Sequence, residues 1–138
     1  MRKDMIPALE RLKKILAADP RILAAFLYGS QVEGCAMPHS DVDVAVLFTA
    51  EAAPTITGRD VARLEAKLIE ATGLPVEVVH LNRASLLLQH RAISGISLFE
   101  RDPIAVSDFI EGVLKARRAT AYRRNRRLQE FFGTASRD

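Results

Sequence analysis

Two short apolar runs, residues 22–28 (ILAAFLY) and 41–48 (DVDVAVLF), constrain the fold more than any other feature of the chain. Each is too brief for an ordinary helix, the first lies between Pro20 and Gly29, and the second is rich in valine. Such runs read as strands buried on both faces. The first follows Asp19-Pro20 and runs into Gly29-Ser30. Gly34 and Pro38 interrupt the ten residues 31–40 that separate the runs. Because side chains alternate across a strand, Asp41 and Asp43 are expected on one face and Val42, Val44 and Val46 on the other.

The other elements follow from helical periodicity. Met5, Leu9, Leu12 and Leu16, with Pro7 in the first turn and Asp19-Pro20 as a stop, predict a helix over residues 4–18. Val61, Leu64, Leu68 and Ala71 predict another, closed by Gly73 as a C-cap. Residues 75–81 form a third strand, residues 83–94 a helix and residues 106–132 a long C-terminal helix. On that helix Ile110, Leu114, Ala121 and Leu128 lie along one face and are expected to pack on the core. The order gives an α/β domain with one small sheet backed by helices. At 138 residues the chain has room for one domain, residues 1–138. Hydrophobic residues at 49% and charged residues at 27% describe a chain that folds rather than one that stays disordered. The apolar runs are too short to cross a bilayer and no secretory signal opens the sequence, so a cytoplasmic location is expected. The lone Cys35 has no second cysteine with which to form a disulfide or a thiolate zinc site.

The net charge of +3 is unevenly placed. Residues 112–129 hold seven basic residues and no acid, which leaves 13 basic and 17 acidic residues elsewhere, a balance of −4. A solvated helix face, a docking surface for an acidic protein and a nucleic-acid contact are three readings of that segment. With Tyr122 as its one interleaved aromatic, a base-stacking platform is the least favoured.

The residues suited to chemistry cluster at the strand ends. Phosphates need closely approaching backbone N–H donors, which a glycine turn such as Gly29-Ser30 supplies. Divalent metal needs oxygen ligands, and carboxylates at i and i+2 on one strand face can hold two ions about 3.5–4 Å apart across attacking and leaving oxygens. Asp41 and Asp43 have that spacing. Glu77, within the apolar stretch Pro75-Val76-Glu77-Val78-Val79, is the candidate third ligand, since burying an acid there is costly without a cation. Each piece alone has an ordinary structural explanation; their order and strand context together favour a site.

Gly29-Ser30, ten residues, then Asp41-Val42-Asp43 resembles the signature of the minimal nucleotidyltransferases of the DNA polymerase β superfamily, and Gly34 and Ser40 fit the pattern inside it. The likeness extends over residues 20–105, with Gly95 to Pro103 resembling the family's closing turn; residues 106–132 are the added basic helix. It implies a polymerase β-like nucleotidyltransferase fold, ATP as substrate, two Mg2+ ions held by Asp41, Asp43 and Glu77, and nucleotide binding by Gly29, Ser30 and Ser40. The family's usual third acid is Asp, and here it is Glu77. Members of this type act as antitoxins that adenylylate a tyrosine of an all-helical HEPN toxin encoded nearby, and the resemblance implies such a partner. Two alternatives stay open: an antitoxin that neutralises by stoichiometric binding, and a transferase acting on a small molecule such as an aminoglycoside. Arg83 and His90 match the spacing of the toxin's own ribonuclease motif, but that motif belongs to an all-helical fold. His39 adjoins Ser40 and Asp41 in the loop, and His80 follows a strand and reads as structural.

Overall fold

The computed structural model describes residues 5–29 and 41–131. In chain order the elements are α1 (Met5–Ala18), β1 (Ile22–Tyr28), β2 (Val42–Phe48), α2 (Gly58–Thr72), β3 (Val76–His80), α3 (Leu86–Ile93), β4 (Ile96–Glu100) and α4 (Pro103–Phe131). The four strands form one mixed sheet in the order β3-β2-β1-β4. β1 runs antiparallel to both β2 and β4, and β2 runs parallel to β3. A parallel pair needs a crossover, and α2 is that crossover.

Both faces of the sheet are covered, which is why β1 and β2 read as unbroken apolar runs. Ala25, Leu27, Val42, Val44 and Val46 face α1 and α2, packing with Leu12, Leu16, Leu64 and Leu68. The alternate residues Ala24, Phe26, Tyr28, Ala45 and Leu47 pack with Leu81, Ala92 and Val106 on the side of α3 and α4. Local chemistry fixes the helix ends. Thr57 and Asp60 form a reciprocal capping box at the start of α2, and Gly73, at φ 70°, takes the left-handed conformation that ends it. Asp102 Oδ1 accepts from the N–H groups of Ile104 and Ala105 at 3.1 and 3.3 Å, so Asp102-Pro103 starts α4 three residues earlier than periodicity alone suggests.

Two expectations fail. The segment resembling a closing turn contains a strand, β4, whose short edge position leaves Ile96, Ser97 and Glu100 exposed and so hides the pattern of a buried run. The apolar stripe of α4 does not pack on the core along its length. Val106 and Val113 are buried, whereas Leu114 is 37% and Leu128 47% exposed, and every residue from 118 to 130 is exposed. Among the described residues the body ends near residue 117, and the rest of α4 projects from it without a packing partner there.

Candidate active site

The site is assembled where β1 ends and β2 and β3 begin. In register, Tyr28 stands opposite Asp43 and Asp43 stands beside Glu77. Directly paired residues share a face, and here it is the face of α3 and α4, because Val42, Val44, Val76 and Val78 take the other. Gly29 follows Tyr28 with φ 84°, and a Cβ there would run into Asp43 Oδ2. Glycine is therefore required twice over, for the left-handed backbone and for the approach of the carboxylate. From the other side Gly95, in the turn between α3 and β4, lies against the Leu27 carbonyl, and its own Cβ would also stand 3.1 Å from Tyr28 Cβ.

The electrostatics follow from this crowding. Burial pushes the Asp43 carboxyl above the usual Asp range, and the charges of Glu77 and Asp41 raise it further, while Arg91 opposes them. The Tyr28 phenol is also raised, first by burial, then by Asp43 and Glu77, again against Arg91. Arg91, on the last turn of α3, is thus the cation whose field reaches the acidic cluster. Sequence reading missed it, since its place depends on α3 packing against the end of β1.

Not every expected site residue stands as anticipated. Asp41 precedes β2 by one residue and is exposed, and its charge reaches Asp43. Glu77 is exposed too, although its neighbours Val76 and Val78 on the opposite face of β3 are buried. The argument from burial cost therefore falls, and the register with Asp43 is what ties Glu77 to the site. Ser30, Gly34, His39 and Ser40 lie outside the described residues. Arg83 and His80 have structural work: Arg83 donates to the Ile56 and Pro54 carbonyls, each at 3.0 Å, while His80 Nε2 lies 3.1 Å from the Ala53 carbonyl and its ring packs on Phe48. A cavity of about 420 Å3 lined by Leu23, Leu47, Phe48 and Phe109 opens at the far end of the sheet, away from the acids.

Among the described residues no group of three or more His, Cys, Asp or Glu side chains closes on a point that could hold a metal ion. The expected ligands Asp41, Asp43 and Glu77, all of them described, therefore do not form a closed ligand set by themselves. The raised Asp43 carboxyl, crowded by like charges, marks a place where a cation would relieve repulsion.

The family model for the polymerase β nucleotidyltransferase domain matches residues 10–104. No curated protein matches the sequence. Among solved structures, one chain of a toxin–antitoxin complex with AMP-PNP superposes with a TM-score of 0.72 at 21% identity, covering 91% of this chain and 98% of the other. A chain of the toxin–antitoxin MntA-HepT gives 0.68 at 19% identity over 92% and 98%. A complex of tri-AMPylated Shewanella oneidensis HEPN toxin with MNT antitoxin gives 0.67 at 19% identity, again over 92% and 98%. At these identities the likenesses show a shared fold. Since the family model spans residues 10–104, well over half of the chain, the protein belongs to the polymerase β nucleotidyltransferase family.

Proposed function

We propose that the protein transfers AMP from ATP to a tyrosine hydroxyl of an all-helical HEPN-type partner encoded nearby, and so acts as an antitoxin. The observation that carries this reading is the alignment of Tyr28, Asp43 and Glu77 across three strands beneath the Gly29 turn. In the reaction the acceptor oxygen bonds to the α-phosphorus, the bond from that phosphorus to the bridging oxygen breaks, and pyrophosphate leaves with the electron pair. The acceptor proton passes to a carboxylate, a role this reading gives to Glu77, whose register beside Asp43 supports it. Backbone N–H groups at Gly29-Ser30 hold the β- and γ-phosphates. Asp41, Asp43 and Glu77 would hold magnesium, whose chemistry here is to neutralise charge on the phosphates and the attacking oxygen. Similarity of fold to complexes of toxin with antitoxin, one with an ATP analogue and one with AMPylated toxin, supports both nucleotide and partner.

The test is intact-mass analysis after incubation with ATP, magnesium and the helical product of the neighbouring gene. A mass gain of one adenylate per modified tyrosine is expected, and it should vanish with Asp41→Asn combined with Asp43→Asn. If that double variant still neutralises the partner at equal concentration, inhibition is stoichiometric and the catalytic reading fails. Transfer to an aminoglycoside in place of the partner would identify a small-molecule acceptor instead.

A further inference from the structure

We propose that the groove between α3 and α4, continued along the projecting part of α4, is the docking surface for an amphipathic helix of a partner protein, apolar at one end and acidic at the other. This rests on the reading that the acceptor is a protein, and it names the surface that receives it.

The groove has a volume of about 250 Å3 and is lined by Leu86, Gln89, Phe109, Gly112, Val113 and Ala116, with Asp108 at its inner end. Gly112 and Ala116 lie one turn apart on α4, and the same line continues at three- and four-residue steps through Ala119, Arg123 and Arg127. Next to the body this line offers a helix backbone with almost no side chain in the way: a Cβ built on Gly112 meets nothing within 4 Å. Small residues there let a second helix approach to the close end of the usual interaxial range. Farther out the line carries arginines, fully in solvent. From residue 112 to 129 the helix rises about 26 Å at 1.5 Å per residue, and that stretch has seven basic residues and no acid.

An occupant must match both halves. Leu86, Phe109 and Val113 reward apolar side chains and give a phosphate backbone nothing, which favours protein over nucleic acid. Arg123 and Arg127 reward carboxylates at the other end of the same helix. The outer half of α4 has reason to want such a partner. Like charges a turn apart oppose it, an i,i+4 ion pair between Arg126 and Glu130 at 3.5 Å eases only its tip, and a helix of this length without tertiary packing is marginal in water.

A labelled helical peptide, leucine-rich in one half and glutamate-rich in the other, titrated against the whole protein by fluorescence anisotropy, tests the surface. Reversing two charges with Arg123→Glu and Arg127→Glu should weaken binding about a hundredfold. Gly112→Gln, which fills the groove and raises helix propensity, should weaken it about tenfold. ATP binding should be unchanged in both variants, since none of these residues belongs to the acidic site at Asp43. A peptide with lysine for glutamate should not bind. Failure of the acidic peptide to bind the wild type, or equal binding by the variants, overturns the proposal. So does a short DNA duplex that binds in its place, is lost with the arginines and ignores Gly112→Gln. The mass assay above reports separately on adenylate transfer, so loss of this surface and loss of the enzymatic reading are distinguishable.

Discussion

The two ends of the sheet are built on opposite principles. At the end where β2 finishes, Asn82 and Arg101 bond to the chain itself, although the buried Nδ1 of His80 has no partner among the described residues. Asn82 Oδ1 accepts from Phe48 N–H at 2.8 Å and its Nδ2 donates to the Phe48 carbonyl at 3.0 Å, acting as one more residue of a strand. Arg101 donates to the carbonyls of Ile22, Ala17 and Asp19, each at 2.9 Å, while it stacks over Phe99. At the other end Asp43 is crowded by Glu77 and Asp41, and its carboxyl is held above the ordinary range. One end stabilises the fold, and the other accepts electrostatic cost to keep carboxylates together where a substrate would meet them. The contrast teaches where to expect substitutions to separate stability from activity.

The largest separation should come from changing one residue at each end. Asp43→Asn is expected to lower adenylate transfer at least a hundredfold, by order of magnitude about 10² or more, while the thermal midpoint holds or rises because a repelling charge is gone. Asn82→Ala should do the reverse, leaving two backbone groups of Phe48 unpaired at a cost of about 2 kcal/mol or more, with activity per folded molecule retained. Urea denaturation alongside the transfer assay checks both. If Asp43→Asn unfolds the protein, the acids are structural and the contrast collapses.

Gly29→Ala sharpens the comparison, because it should damage both properties. A side chain at φ 84° costs roughly 1–3 kcal/mol, and its Cβ would displace the Asp43 carboxylate. Equal stability of Gly29→Ala and wild type by calorimetry would mean that the turn does not hold this backbone conformation.

The smallest effect is expected at the closed end. The Arg21 side chain, bonded to both carboxylate oxygens of Asp19 at 3.1 and 2.9 Å, holds the Asp19 carboxyl below its usual range. A depressed acid contributes stability that is present above its unfolded pKa and lost as pH falls through the folded one. Since the pair is partly exposed, with Arg21 45% and Asp19 20% accessible, Asp19→Asn should cost only about 0.5 kcal/mol at neutral pH. That difference should close in acid, below the ordinary Asp range. A penalty that persists there in pH-dependent melts would point to the backbone bond from Arg21 N–H to Asp19, at 3.0 Å, as its source.

Legibility in the sequence tracked how local each cause is. β1, β2, β3 and α1 were readable because a buried strand or an amphipathic helix carries its own periodicity, and Gly73 as a C-cap needed only its neighbours. The pairing of Asp43 with Glu77 was anticipated by residue type, but its register arises from the parallel alignment of strands separated by α2. Arg91 was invisible because no local pattern says that α3 brings its last turn to the end of β1. β4 was hidden by its edge position. The failed stripe on α4 shows the converse error: Leu114, Ala121 and Leu128 keep perfect spacing, yet no core extends far enough to meet the last of them. Spacing shows which residues can share a face, and only the extent of the body decides whether that face is covered.

The Arg101 clamp bears on how the chain reaches its fold. β1 forms early in the sequence, but one of its edges stays bare until residues 96–100 arrive to pair with it, and Arg101 then closes on carbonyls 79 to 84 positions earlier. Contacts of such long separation are slow to form. During synthesis the first strand therefore waits, with an unpaired edge, for nearly the whole body to be made. At the acid end Tyr28, which pairs with Asp43, lies on that same strand, so the pairing depends on a strand whose other edge is closed from far along the chain.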